Sequence, residues 1–410
     1  MEMIKEAGEQ QSAVLAVKQL QLHWLLQISK AINYNLPSDQ LFQIYESIMR
    51  DHLQVQKLAL FVHDHQWRHT LSYGVEYTLL PDQMQERLND LNVTTLTNLQ
   101  MPDWVQGFES IIPVLHDNKP LAYAFIGNME HQHIASIKEI LPFIHTITNI
   151  IVVAIENKRL NKEAIKQAQM QKEMELAARM QQMLFPSKLP SNTRIDIAAT
   201  YLPHQQVGGD YYDYIELNKD ELLICLADVS GKGISAALLM SNFQANLNAR
   251  ANHFTSIREI VVELNESVNK TAKGEKFITV FLALINTRNN RLTYINAGHN
   301  PPLLFTGDQC VLLDTGSTGL GMFEELPFLK EGVADFPSGA TLFCYTDGIV
   351  EQENKAGDAF GLEKVMELIV RHKDAYTMKD LHLRIVDEFS KFSLQAESLD
   401  DVTLLSCRSL

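Results

Sequence analysis

From Val14 to Leu53 the apolar residues Leu20, Leu22, Leu25, Leu26, Ile28, Ile32, Leu41, Ile44 and Ile48 recur near helical spacing, interrupted by Asn35-Leu36-Pro37. The pattern predicts two helices joined by a turn. Lys57–Val62, Ser110–Leu115 and Leu121–Ile126 are short runs of β-type residues, and the last two flank a turn at 116–120. Together these segments predict a small α+β domain over residues 14–130.

Between Ser136 and Phe185 there is no Gly and a single Pro, Pro142. Ile144, Ile147, Ile151 and Ala154 step by three and four, which predicts a long helix. The register meets Lys158 and Asn161, recovers at Ile165 and Ala168, and continues as a shifted seam through Met170, Met174, Ala177, Met180 and Leu184. An imperfect coiled coil making a homodimer is expected over a linker at 131–190; a lone helix packed on its own domains has the same periodicity. Pro186 and Pro190 end the helix.

Beyond Ser191 the period changes. Strands are expected at Ile195–Tyr201, Tyr211–Leu217, Glu221–Ala227, Phe277–Ile285, Leu292–Asn296, Thr341–Tyr345 and Val402–Cys407. Helical patterns at Ser235–Arg250, Ser256–Thr271, Leu362–Arg371 and Thr377–Phe392 separate groups of strands instead of alternating with single ones. That order predicts a layered α+β domain over 191–410, with sheets inside and helices outside.

Bulk properties narrow the chemistry. At 410 residues the chain exceeds the size of one ordinary core, so two domains and a connector are expected. Lys and Arg total 35 against 50 Asp and Glu, a formal charge of −15. That field repels phosphate backbones and anionic lipid, which excludes nucleic acid as the expected partner. The N-terminus lacks an apolar signal core, and the longest aliphatic run, Ile150–Ile155, is too short to span a bilayer, so a cytoplasmic protein is expected. Cys225, Cys310, Cys344 and Cys407 are far apart, which indicates neither a disulfide framework nor a CxxC metal site.

Acidic residues stand where strands stop: Asp228 after Leu222–Ala227, Asp347 after Leu342–Thr346, and Asp400-Asp401 just before Val402–Ser406. Ser230-Gly-Lys-Gly233 and Gly348 follow the first two, and small residues let backbone approach a bound ion. Asp210 follows two glycines in Val207-Gly-Gly-Asp-Tyr-Tyr-Asp213 and extends the set. Any one such Asp more often caps a helix or a turn, so the argument rests on the group. Hard oxygen donors suit Mg²⁺ or Mn²⁺. His63, His65 and His69 have a spacing that fits a turn between two strands better than a metal site. No Cys is followed by Arg six positions on, which excludes a cysteine-phosphatase loop. Gly231-Lys-Gly233 lacks the remaining residues of a nucleotide phosphate loop.

These residues resemble the metal-dependent protein phosphatases, and among them the SpoIIE and RsbU-like bacterial branch. Five motifs carry the resemblance in family order: Val207–Asp213, Ala227-Asp-Val-Ser-Gly-Lys-Gly233, Asn296-Ala-Gly-His-Asn-Pro-Pro302, Tyr345-Thr-Asp-Gly-Ile349 and Asp400-Asp-Val-Thr403. The resemblance implies an α-β-β-α sandwich holding two divalent ions, Mn²⁺ or Mg²⁺. Asp228 would bridge them, with the Val229 carbonyl on one ion and Asp347 and Asp400 on the other. Asp210 would act nearby or through water, and Asp401 is the alternative to Asp400. The implied reaction is attack of metal-activated hydroxide on a phosphoserine or phosphothreonine, with a STAS-type anti-sigma factor antagonist as the implied substrate. Ser230 stands where better-known eukaryotic members place a histidine, which leaves the general acid unassigned. Lys232 is either a phosphate contact or a solvated lysine, and His299 is expected to shape a turn.

The N-terminal half resembles a GAF domain in its order of helices, short antiparallel sheet, terminal hairpin and long exit helix. No Cys precedes Cys225, which excludes a thiol-linked bilin or a cysteine-held iron cluster there. The competing expectation is a pseudophosphatase scaffold that binds a partner without turnover; its mark would be loss of the carboxylates, and Asp228, Asp347 and Asp400 are present.

Overall fold

The computed structural model describes residues 2–75, 88, 96–97, 108–116, 119–129 and 137–410, apart from 252, 254, 255, 374, 375, 395, 397 and 398. The expected turn residues Asp117 and Asn118, and the helix start at Ser136, lie outside the described residues. The chain divides into two compact units, Met1–Ala168 and Gln169–Leu410.

In the first unit α1 (Glu2–Asn33) and α2 (Ser38–Ser47) flank the Asn35-Leu36-Pro37 break, where Asn35 takes φ 55° and Pro37 precedes α2. A single π turn, Ile48–His52, follows. Strands β1 (Val55–Asp64), β2 (Gln66–Tyr73), β3 (Leu96–Thr97), β4 (Ser110–His116) and β5 (Lys119–Met129) form one antiparallel sheet in the order β2-β1-β5-β4-β3. Helix α3 runs from Ile137 to Gln182.

Alternation along the strands explains their near-continuous apolar sequence. Leu58, Leu60, Ile112, Val114, Ala124 and Ile126 pack with Ile28, Tyr45, Ile144, Ile147 and Ile151, whereas Ala59, Phe61, Trp67, Ile111, Tyr123 and Phe125 form a second cluster. The first part of the expected coiled-coil seam, Ile144 to Ile151, is therefore core of this unit. Lys158 Nζ ties the helix back to the carbonyls of Asn35 and Leu36, at 2.9 and 2.7 Å. One stretch of α3 is long and apolar enough to cross a membrane, and a third of it is buried inside the protein. The histidine cluster lies on the β1–β2 hairpin: His65 is the turn, His63 contacts the Trp67 ring and His69 the Phe61 ring.

The described residues of the second unit form a six-stranded and a five-stranded sheet. One runs β13 (Gly316–Ser317), β10 (Arg291–Ala297), β9 (Ile278–Asn286), β8 (Glu221–Val229), β7 (Tyr211–Glu216), with β14 (Gly332–Asp335) also paired to β10. The other runs β12 (Gln309–Leu312), β11 (Leu303–Thr306), β15 (Thr341–Tyr345), β16 (Val402–Ser409), β6 (Ile195–Leu202). Leu222, Ile224, Leu226, Phe281 and Ala283 face Ile197, Leu342, Cys344, Leu405 and Cys407 between the sheets. The alternate residues Leu223, Cys225, Ala227, Val280 and Leu282 pack under α4 (Ile234–Ala251) and α5 (Ile257–Ala272). On the far side Phe343, Tyr345 and Leu404 pack under α7 (Leu362–Arg371) and α8 (Met378–Phe392). The result is the expected α-β-β-α sandwich, in which each fully buried large side chain contributes about 1.5–3 kcal/mol.

Candidate active site

Leu222, Ile224 and Leu226 point between the sheets, so the next residue in that series, Asp228, emerges from the same face at the end of β8. It lies opposite Thr279 of β9. The odd-numbered Val229 turns toward the helices, leaving its carbonyl beside Gly209. A Cβ at Gly209 would come within 2.9 Å of that oxygen, so glycine allows the 204–210 loop to lie against β8.

Asp210, at the end of that loop, is fully buried and bound by the opposite sheet. Thr346 Oγ1 donates to its Oδ2 at 2.9 Å, and Thr403 Oγ1 donates to the same oxygen. The two threonines are themselves joined: Thr346 N–H donates to the Thr403 carbonyl at 3.0 Å and Thr403 N–H to Thr346 Oγ1 at 2.9 Å. Asp347 begins the five-residue α6 (Asp347–Glu351), which the sequence pattern did not reveal. Gly348 lies so close to the Asp401 carbonyl that any Cβ there would collide with it.

The adjacent Asp400 and Asp401 diverge. Asp401 Oδ1 accepts the His204 N–H and Oδ2 accepts the Gly209 N–H, both at 2.8 Å, so this carboxylate holds the loop that delivers Asp210. Asp400 instead meets Lys232: Nζ lies 3.0 Å from Asp400 Oδ2 and also donates to the Leu399 carbonyl. Lys232 is thus engaged on a carboxylate, which neither sequence expectation for it foresaw.

The acids act on one another. Burial, then the charges of Asp347 and Asp400, push the Asp228 carboxyl up to about 7, partly offset by a hydrogen bond shared with Asp210. Asp210 is raised well above the usual carboxylate range by burial and then by Asp228. Asp347 is raised by burial, Asp400 and Glu351, against the Gly348 N–H and Lys232. Among the described residues no three Asp, Glu, His or Cys side chains close on a single point. The donors present, carboxylate oxygens of Asp228, Asp347 and Asp400 with the Val229 carbonyl nearby, are of the hard oxygen type that Mg²⁺ and Mn²⁺ take.

Around this group the backbone is firmly held. Ser230 N–H donates to the Phe277 carbonyl at 3.0 Å, Phe277 N–H to Ser230 Oγ at 2.9 Å, and Lys276 Nζ to the Ser230 carbonyl at 2.7 Å. The Ser230 hydroxyl is engaged in fixing the loop. His299 follows Gly298 at φ 70°, is buried, and pairs its Nδ1 with Thr279 Oγ1 at 3.0 Å; burial lowers it to about 4. Near the end of α3, the buried Gln181 donates Nε2–H to the Gly208 carbonyl at 2.7 Å and accepts the Gly208 N–H at 3.2 Å. Thr346 and Thr403 lie inside motifs the sequence displays, and Gln181 lies in the stretch Ala177–Leu184, whose sequence resembles the lead-in to such phosphatase domains without singling out the glutamine.

Residues 218–409 match the family described as Stage II sporulation protein E (SpoIIE). Over these residues the second unit is similar to the SpoIIE family and to curated phosphoserine phosphatases. The chain is 28% identical over 246 residues to the phosphoserine phosphatase RsbU of Bacillus subtilis (strain 168), covering 59% of this chain and 71% of RsbU. It is 26% identical over 304 residues to protein IcfG of Synechocystis sp., covering 67% of this chain and 48% of IcfG. The fold is similar to the SiaA-PP2C domain of Pseudomonas aeruginosa, with TM-score 0.53 and 21% identity, over 60% of this chain and 99% of that domain.

Proposed function

We propose that the protein is a metal-dependent serine/threonine protein phosphatase of bacterial signal transduction. One observation carries this reading: Asp228 at the end of β8 is met by acidic groups from three other segments, Asp210 through a shared hydrogen bond and Asp347 and Asp400 through their charges. Carboxylates gathered this way destabilise one another unless multivalent positive charge joins them. Asp228 is assigned as the bridging ligand with the Val229 carbonyl beside it, and Asp347 and Asp400 as ligands of the second ion. Asp401, with both oxygens on backbone N–H groups, is assigned to anchor the loop, while Asp210 supports Asp228 from behind. When bound, a pair of Mn²⁺ or Mg²⁺ ions supplies an activated solvent nucleophile near neutral pH and offsets phosphoryl charge.

The substrate proposed is a phosphorylated STAS-type anti-sigma factor antagonist, supported by the similarity to RsbU, whose name is phosphoserine phosphatase. For the first unit we propose a GAF-like sensor, supported by its five-stranded antiparallel sheet with α1, α2 and the start of α3 packed against one face. The exposed Leu160, Ile165, Met170, Leu176 and Met180 of α3 support a homodimer through that helix. The buried Ile144, Ile147 and Ile151 support reading its apolar stretch as core of a cytoplasmic protein.

The test is phosphate release from a phosphoserine STAS protein by the full chain with Mn²⁺. Asp228→Asn should reduce turnover about 10³-fold, the several kcal/mol that Lewis-acid stabilisation supplies. Turnover that survives chelation, or an Asp228→Asn protein as active as the wild type, would remove the reading.

A further inference from the structure

Lys232 occupies a position set by its neighbours. Gly231 and Gly233, at φ 81° and 77°, bracket it, and the preceding Ser230 is strapped to the start of β9 through three hydrogen bonds. From this fixed base the side chain reaches across to the segment entering β16, where the ammonium meets Asp400 Oδ2 and the Leu399 carbonyl. The nearby Lys276 is turned away, onto the Ser230 carbonyl.

The positive charge is delivered to one side of the acidic group. Lys232 acts on Asp347, whereas the charges acting on Asp228 are those of Asp347, Asp400 and Asp401. Lys232 and Asp400 are both about two-fifths exposed, so their pair is weak and readily exchanged in water. An ammonium carries one charge and no vacant orbital; a divalent ion carries two and binds carboxylate oxygen directly. Both seek the same Asp400 oxygens.

We infer that Lys232 is a tethered counter-ion of the site, which a divalent ion taken up by Asp347 and Asp400 must displace from Asp400. This rests on the metal-dependent phosphatase reading and adds to it an intrinsic competitor for one of two ions. In the metal-free protein the lysine offsets the charge of Asp400, and in doing so it lowers affinity for the second ion. Uptake of that ion frees the ammonium, still tethered beside the site.

The inference is tested by titrating the full chain with Mn²⁺ and following free ion by electron paramagnetic resonance. Lys232→Met should bind the weaker Mn²⁺ about two- to fivefold more tightly, as expected for removal of one partly exposed competing pair. Lys232→Arg, which keeps the charge, should stay near the wild-type Kd. Unchanged or weaker binding in Lys232→Met overturns the inference, as does equal tightening in Lys232→Arg, since charge would then not be the cause. Asp228→Asn serves as the separate control: if it binds Mn²⁺ like the wild type, the metal reading itself fails, whatever the Lys232 variants do.

Discussion

Asp400 and Asp401 stand at the entrance to β16, where one step along an extended backbone turns a side chain to the opposite face. Asp401 faces the 204–209 loop and takes two backbone N–H donors, while Asp400 faces Lys232. The same rule places Thr403 two residues beyond Asp401, buried and bonded to Asp210. Thr403→Val keeps the shape and removes the hydroxyl from beneath a buried carboxyl. It should cost about 1–3 kcal/mol of stability and lower Mn²⁺ affinity about 10- to 100-fold, as losses behind a ligand do. Urea unfolding and Mn²⁺ titration check this; a variant matching the wild type in both would show that Asp210 needs no such support. The aspartates were legible because each sits in a short motif at a strand end. The threonine roles were not, because they depend on β15 pairing with β16, a contact between segments 57 residues apart. The role of Gln181 was hidden for a plainer reason: the stretch Ala177–Leu184 stood out, but one Gln within it looks like its neighbours until Gly208 arrives against it.

Elements with both faces buried announce themselves as apolar runs, which is why β8, β9, β15 and β16 were readable from sequence alone. Strands β11 to β14 are only two to four residues long, too short to establish a period, and β13 is only Gly316-Ser317. The partly exposed β2 reads as a polar stretch for a related reason. Helix α8 shows what an amphipathic pattern conceals. Its His382 is buried, with Nδ1 3.0 Å from Thr200 Oγ1 and Nε2 2.8 Å from Ser406 Oγ, and burial lowers it from 6.5 to about 3. Above pH 6.5 the ring is neutral in folded and unfolded chains alike. As pH falls, the unfolded chain takes up a proton that the folded one refuses, so stability is lost between about pH 6.5 and 3. The limiting slope is about 1.4 kcal/mol per pH unit. His382→Gln removes the titration, so its unfolding free energy should decline less between pH 7 and pH 5 than that of the wild type. Equal declines in urea melts at the two pH values would assign the acid sensitivity elsewhere.

At the scale of the whole chain, two units with separate cores are connected through one uninterrupted helix. The helix changes character along its length. Its first turns are core of the first unit, and its last turn carries Gln181, which holds the Gly208 loop of the second unit. Between them, Leu160, Ile165, Met170 and Leu176 lie exposed on a segment whose other residues are mostly polar. Exposed apolar side chains gain stability when a second copy covers them, each fully buried one contributing about 1.5–3 kcal/mol. The homodimer proposed above therefore predicts a particular mass-action behaviour. At micromolar concentration the wild type should sediment at twice the chain mass, and a protein carrying Ile165→Glu and Met170→Glu should sediment as a monomer, because two carboxylates would have to be desolvated in the seam. Both substitutions lie on exposed positions of the helix, so the cores of the two units should melt as in the wild type. A wild-type chain that remains monomeric across that concentration range would assign those apolar residues to some other contact and make the helix a connector within one chain.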